Sequence, residues 1–326
     1  MSGPGVGFEY PPVKVTWLQR DVLLFANTIG ATVDELHFLY EFHPKFAVFP
    51  TYPVILRKYS YISLSPQVIN PITAFKKDSQ EVVDYYKESK AVQIPGVPKL
   101  DYTRVVDGQR KIQFLKPLPT TSAGRNFEAR QKVIGVYDKG RPGTVLETQT
   151  DLVDVDSGEV HARVTSSGFF IGQGNWGGPK GPATENYPPP KDKAPDATIE
   201  VQTSAESALL YRLNGDYNPL HADPEPGKKM GFGGTIMHGL FSWNSTAHSL
   251  LKELGGGDPA NIKEYQARFA SPVRPGDKLV THAWIMGVNQ EGWSEVRFVT
   301  QVAGGKVVLS NGLALIKVTG QGKSKL

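Results

Sequence analysis

The strongest periodic signal lies at 239–254, where Leu240, Trp243, Ala247, Leu250, Leu251 and Leu254 recur at intervals of three and four. That spacing sets the apolar side chains on one stripe and predicts a helix with one buried face, stopped by Gly255-Gly256-Gly257. Strand-like runs follow at 262–269, 278–286, 294–302 and 306–318, punctuated by Pro275-Gly276-Asp277 and Gly304-Gly305. Ahead of the helix, 197–203 alternates like a strand. A short helix is expected over 205–213, with Thr203 or Ser204 as its N-cap. A long helix followed by an antiparallel meander is an α+β layer in which the sheet wraps the helix.

The first half repeats this order. Helical patterns at 21–27 and 35–40 precede strand-like runs at 104–114, 127–137, 144–155 and 159–171. Phe114-Leu115-Lys116-Pro117 and Phe269-Ala270-Ser271-Pro272 are matching echoes, each after an alternating strand. Element order and echo together predict a duplicated unit. Between the copies, 179–195 is rich in Pro and Lys without apolar periodicity, the mark of an extended linker. The expected division is a unit over 1–180, a linker over 181–196 and a second unit over 197–326.

Composition narrows the function. Across 326 residues, 39% are hydrophobic, enough for packed cores and too many for a disordered chain. A net charge of +4 comes with no basic stripe and no aromatics interleaved with Lys or Arg, so nucleic acid is not an expected partner. The complete lack of cysteine removes disulfides, thiolate metal sites and a Cys nucleophile. No apolar run is long enough for a membrane span, and Met1–Gly5 lacks the basic and apolar regions of a secretory signal. The terminal Ser324-Lys325-Leu326 matches a peroxisomal address, so an import receptor is an expected partner.

Two segments carry candidate chemistry. Gly172-Gln173-Gly174-Asn175-Trp176-Gly177 matches G-x-G-x-x-G in form, but Pro179 follows where a helix should begin, which rejects a dinucleotide site. It reads either as an interdomain turn or as a loop at a ligand channel, with Gly174 and Gly177 against the substrate. The second segment runs from Tyr211 to His221 and puts an acid, an amide and an imidazole within six residues: Asp216, Asn218 and His221. Pro219 stiffens the backbone there, so Asp216 and His221 could converge on one water and deprotonate it. From the residues alone, an Asx turn at Asp216 and a capping or surface His221 fit as well. His238 and Gly239 open the long helix, where backbone N–H groups are exposed and the dipole is positive. Gly239 could approach an oxyanion closely, or simply pack tightly.

These segments resemble a known family, the R-specific 2-enoyl-CoA hydratases (hydratase 2, MaoC-like), in their eukaryotic peroxisomal form. The likeness is carried by YRLNGDYNPLHADP at 211–224, GGTIMHGLFSW at 233–243 and ARFASPVRPGD at 267–277. In the first half it is carried by FPTYP at 49–53 and IPGVPKLDYTRVVDGQ at 94–109. One departure is the acidic Asp223-Pro224-Glu225-Pro226-Gly227. The resemblance implies an α+β double hot-dog fold with the catalytic motif only in the second unit, the first being degenerate and holding the acyl chain, with residues 46–56 as an apolar wall. It implies Asp216 and His221 as the catalytic pair, Asn218 as their support and Gly239 in the oxyanion hole, while His238 is read as a substrate neighbour or a packed residue, with no catalytic role. The implied reaction is reversible hydration of a trans-2-enoyl-CoA to the (3R)-3-hydroxyacyl-CoA. The coenzyme A thioester is the substrate, and neither metal nor cofactor is required. A homodimer in the peroxisome is expected. The competing classes are a hot-dog thioesterase and a non-catalytic acyl-CoA-binding protein.

Overall fold

In a computed structural model, residues 3–60 and 93–319 are described. The first half carries β1 (Val13–Val15), α1 (Gln19–Thr28), α2 (Leu36–Leu39), α3 (Pro53–Ser60), β2 (Val105–Phe114), β3 (Phe127–Asp138), β4 (Gly143–Asp154) and β5 (Val160–Ile171). The second carries β6 (Ala197–Gln202), α4 (Ser207–Tyr211), α5 (Pro224–Lys229), α6 (Gly239–Gly255), β7 (Ile262–Phe269), β8 (Lys278–Val288), β9 (Ser294–Val302) and β10 (Val307–Ile316). All ten strands form one sheet in the order β1-β3-β4-β5-β2-β7-β10-β9-β8-β6. Each half therefore has the same topology, with its second strand at the seam. There β2 pairs antiparallel with β7, from Gln109 opposite Arg268 to Gln113 opposite Glu264. The two four-residue echoes begin at the last residues of β2 and β7, so they mark equivalent strand ends.

The helices repeat the same relation. α6 packs against β6, β7 and β10, and α3 against β1 and β5, the equivalents of β6 and β10. This is the double hot-dog architecture, two sheet halves each wrapped on a helix. β1 is a departure from the sequence reading, which holds no strand at 13–15 because three residues are too few to show alternation.

α6 corrects the expectation of a single buried face. Besides the apolar stripe, Ser242, Asn244, Ser245, Thr246, His248 and Ser249 are buried. The sheet covers one side of the helix and the first half covers the other. Buried polar groups need partners. Ser249 Oγ donates to Ser245 O at 2.9 Å, Thr246 and Thr300 hydroxyls lie 3.2 Å apart, and His248 Nε2 donates to Glu35 Oε1 at 2.9 Å. The helix ends as the glycines foretell: Gly256 takes φ 65°, and Gly257 N donates to Leu251 O at 3.0 Å.

Three further expectations change. The helix at 205–213 breaks into α4 and a 3₁₀ turn at Arg212–Asn214, and its N-cap is Glu206 rather than Thr203 or Ser204. Thr203 Oγ1 is committed to Asp277 O at 2.7 Å, and Ser204 forms a turn in which its N–H donates to Ser207 Oγ. The Pro-rich stretch at 179–195 has no helix or strand, yet it is fastened along the second sheet. Trp284 Nε1 donates to Lys193 O at 2.8 Å, Arg297 to Pro188 O at 3.1 Å, and Tyr187 N to Asn311 Oδ1 at 2.6 Å. The stretch at 46–56 is core as much as wall: Val48, Phe49, Tyr52, Val54, Ile55 and Leu56 are buried in the cluster that includes α6, and Phe46, Ala47 and Pro50 are partly open. Residues 324–326 lie outside the described residues.

Candidate active site

The loop between α4 and α6 builds the site. Gly215 takes φ 95°, a left-handed conformation that favours glycine, and turns the chain out of the 3₁₀ turn into Asp216. Asn218 caps the next 3₁₀ turn, Pro219–His221, by accepting from Leu220 N at 3.0 Å. Its own N–H reaches Asp216 Oδ1 at 3.4 Å. The departure at 223–227 is a short helix, α5, with Asp223 accepting from Glu225 N at 2.9 Å and Pro224 at the first helical position.

Asp216, His221 and His238 offer a carboxylate oxygen and two ring nitrogens that all lie within 4.8 Å of one another. His221 and His238 are buried and Asp216 is half-buried. His221 Nδ1 sits 2.9 Å from Ile236 O. A carbonyl only accepts, so Nδ1 carries the hydrogen, and in the neutral ring Nε2 is the basic nitrogen. By the same logic His238 Nε2 donates to Asp216 O at 3.0 Å. The two imidazoles stack with centroids 3.7 Å apart and planes at 28°.

Beneath this pair lies Tyr211, which the sequence reading passed over although it opens the motif. Its ring centroid is 5.1 Å from that of His238, and its hydroxyl accepts from Asn244 Nδ2 at 2.9 Å. Burial, above all, pushes its phenol well above the ordinary tyrosine range, so it is a neutral floor to the site.

His238 is the N-cap of α6 and Gly239 its first residue. Met237 N donates to Val273 O at 2.7 Å, anchoring the helix start on the segment after β7. A Cβ on Gly239 would meet the ring of Phe269 at 3.3 Å, tighter than ordinary packing. Gly239 therefore places an N–H with no side chain over it at the positive end of a 17-residue helix, next to His238. Asp216, Asn218, His221, His238 and Gly239 are thus one constellation.

Gly174 and Gly177 belong to the loop that follows β5. A Cβ on Gly174 would collide with Gly140 O, and Gly177 N donates to Asp138 Oδ2 at 2.9 Å. Asp138 also accepts from Gly140 N and Asn175 N, each at 2.8 Å. Burial opposes ionisation of Asp138, but these bonds and one from Trp176 N outweigh it and hold the carboxyl below its ordinary range. The glycines let this loop fold onto the β3–β4 turn of the first half.

The chain can now be set beside known proteins. A model of the MaoC-like domain matches residues 187–310, and one of the MFE-2 hydratase 2 N-terminal domain matches 16–84. The chain is 49% identical over 328 residues to the probable dehydratase NIT22 of Ajellomyces capsulatus, covering 97% of this chain and 82% of that one. It is 30% identical over 296 residues to the peroxisomal enoyl-CoA hydratase 2 of Arabidopsis thaliana, covering 86% and 85%. Its fold superposes on the crystal structure of a MaoC-like dehydratase from Phytophthora capsici with a TM-score of 0.75 and 32% identity, over 98% and 97% of the two chains. With both halves matched and the fold shared end to end, the chain belongs to the hydratase 2 group of MaoC-like dehydratases.

Proposed function

We propose that the protein adds water reversibly across the C2–C3 double bond of a trans-2-enoyl-CoA, giving the (3R)-3-hydroxyacyl-CoA. The observation that carries this reading is the packing of Asp216, His221 and His238 within 4.8 Å at the start of α6. A water between the Asp216 carboxylate and His221 Nε2 loses a proton as its oxygen bonds to C3. The displaced π electrons move through C2 to the thioester oxygen, where Gly239 N–H and the helix dipole stabilise the enolate character. The proton is delivered to C2, so atoms balance: one water enters, one of its O–H bonds and the C2–C3 π bond break, and a C3–O and a C2–H bond form. The thioester itself supplies the electrophile, so the reaction asks for no metal or redox cofactor.

The first half has no counterpart of Asp216 and His221 and holds the acyl tail, with Phe46 and Ala47 as the accessible part of its apolar wall. Relatives named as peroxisomal enzymes support a peroxisomal setting, with Ser324-Lys325-Leu326 read by an import receptor. Among the described residues no helix is long and apolar enough to cross a membrane.

The test is loss of the conjugated-thioester absorbance with enoyl-CoA substrates, chiral analysis of the product, and parallel measurement of free coenzyme A. Hydration to the (3R) alcohol without thiol release is expected. Release of free coenzyme A as the main product would make the protein a thioesterase.

A further inference from the structure

Arg110 places a charge on the inner face of the sheet. It lies opposite Ala267 in the β2–β7 ladder, as Ile112 lies opposite Tyr265. Directly opposed residues share a face, and so do alternate residues of one strand. Tyr265 donates its hydroxyl to Trp243 O of α6 at 2.8 Å, so this is the face turned towards the central helix. Phe269, next on that face after Ala267, is the residue a Cβ on Gly239 would touch. Arg110 therefore stands on the inner face at the seam between the halves, in the row next to that of Phe269.

Its hydrogen-bonding capacity is largely unspent. Its side chain is 12% exposed, and Nη2 makes one long contact, 3.3 Å, to Asp107, whose side chain is 47% exposed at the rim. Its Nε is buried with no hydrogen-bond partner among the described residues. The guanidinium cannot shed its charge, so such a position is costly unless an anion completes it. On the opposite face of the same strand, Lys111 and Gln113 are both matched to Glu264, at 2.5 and 3.1 Å. Arg110 is also within electrostatic reach of the site. The Tyr211 phenol, pushed up chiefly by burial, is drawn down by Asn244 and Arg110 and pushed up by Asp216.

We propose that Arg110 is a specificity-determining residue: the pocket takes an enoyl thioester whose acyl part bears a carboxylate beyond the double bond, held by the unspent N–H edge of Arg110. This rests on the hydratase reading and narrows its substrate class. A planar carboxylate matches the guanidinium fork. The phosphates of coenzyme A fit poorly, because the pantetheine arm keeps them far from the thioester. A plain hydrocarbon tail would leave Nε unbonded.

The experiment compares kcat/KM for trans-2-enoyl-CoA substrates ending in a carboxylate with those for their methyl esters, at several chain lengths. In the wild type the acid should be favoured by at least about tenfold at its best length, the size a charge-assisted hydrogen bond carries. Arg110→Gln should bring that ratio close to one. A wild-type ratio near one at every length overturns the proposal, and needs no variant to fold. So does a folded Arg110→Gln that slows both substrates equally, since the residue would then act on the shared thioester. A wild type that hydrates neither series overturns the hydratase reading itself, and this proposal with it.

Discussion

Replacing Glu35 with Gln should loosen the hold of the first half on the catalytic helix. Glu35 is buried, accepts from His248 Nε2 at 2.9 Å, and pairs with Lys252 Nζ at 3.0 Å, both on α6 and both more than 200 residues away in sequence. Burial, the largest influence, opposes its ionisation. The bonds from His248, Lys252 and Thr32 N prevail and bring its pKa from 4.5 to about 2. At about 1.4 kcal/mol per pKa unit, that difference is worth on the order of 3 kcal/mol, the lower end for breaking a buried pair. With an unfolding entropy near 2.1 cal/mol/K per residue, Tm should fall by roughly 4–5 °C.

The pH dependence has a definite sign. A carboxyl whose folded pKa is depressed stabilises fully above its unfolded value and loses that contribution as pH falls through the folded value. Urea unfolding of wild type and Glu35→Gln should therefore differ by about 3 kcal/mol at pH 7. The gap should shrink as pH drops below 4.5, to roughly half at pH 3, and approach zero below about 2. A gap under about 0.5 kcal/mol at pH 7, or one that does not change down to pH 3, would refute the reasoning.

Gly239→Ala should lower kcat/KM at least about tenfold, because its Cβ, 3.3 Å from Phe269, crowds the helix-start N–H, while Tm changes little. Steady-state kinetics beside a melting curve checks this, and near-wild-type kcat/KM would remove Gly239 from the oxyanion hole. Truncating Ser324-Lys325-Leu326 should leave activity intact and turn a fluorescently tagged protein from punctate to cytosolic. Punctate fluorescence after truncation would end the address reading.

Strands and the central helix were legible because their periodicity is local. Strands β7 and β9 fall at 262–269 and 294–302 as the alternation predicts, and α6 begins at Gly239 and ends one residue past the expected 254. The Asp216–His221 loop was legible because its turn chemistry is local too. Contacts set by the second copy of the fold were not. The buried polar face of α6 reads as a solvent face until the first half is laid on it. Glu35 and His248 carry no signal, being 213 residues apart. Arg110 carries no signal in the sequence, because the register of β2 on β7 decides which face it takes. At Gly174 and Gly177 the glycine pattern records backbone freedom, which lets a turn close around Asp138.

The central claim is that Asp216 and His221 of the second half activate the water. Its most direct test is kcat/KM of Asp216→Asn and His221→Ala on a trans-2-enoyl-CoA, with Tm measured on the same samples. Acid–base groups are worth about 10²–10⁴-fold, so each variant should lose at least 100-fold while melting close to the wild type. A folded variant of either kind that keeps activity within about tenfold of the wild type would contradict the account.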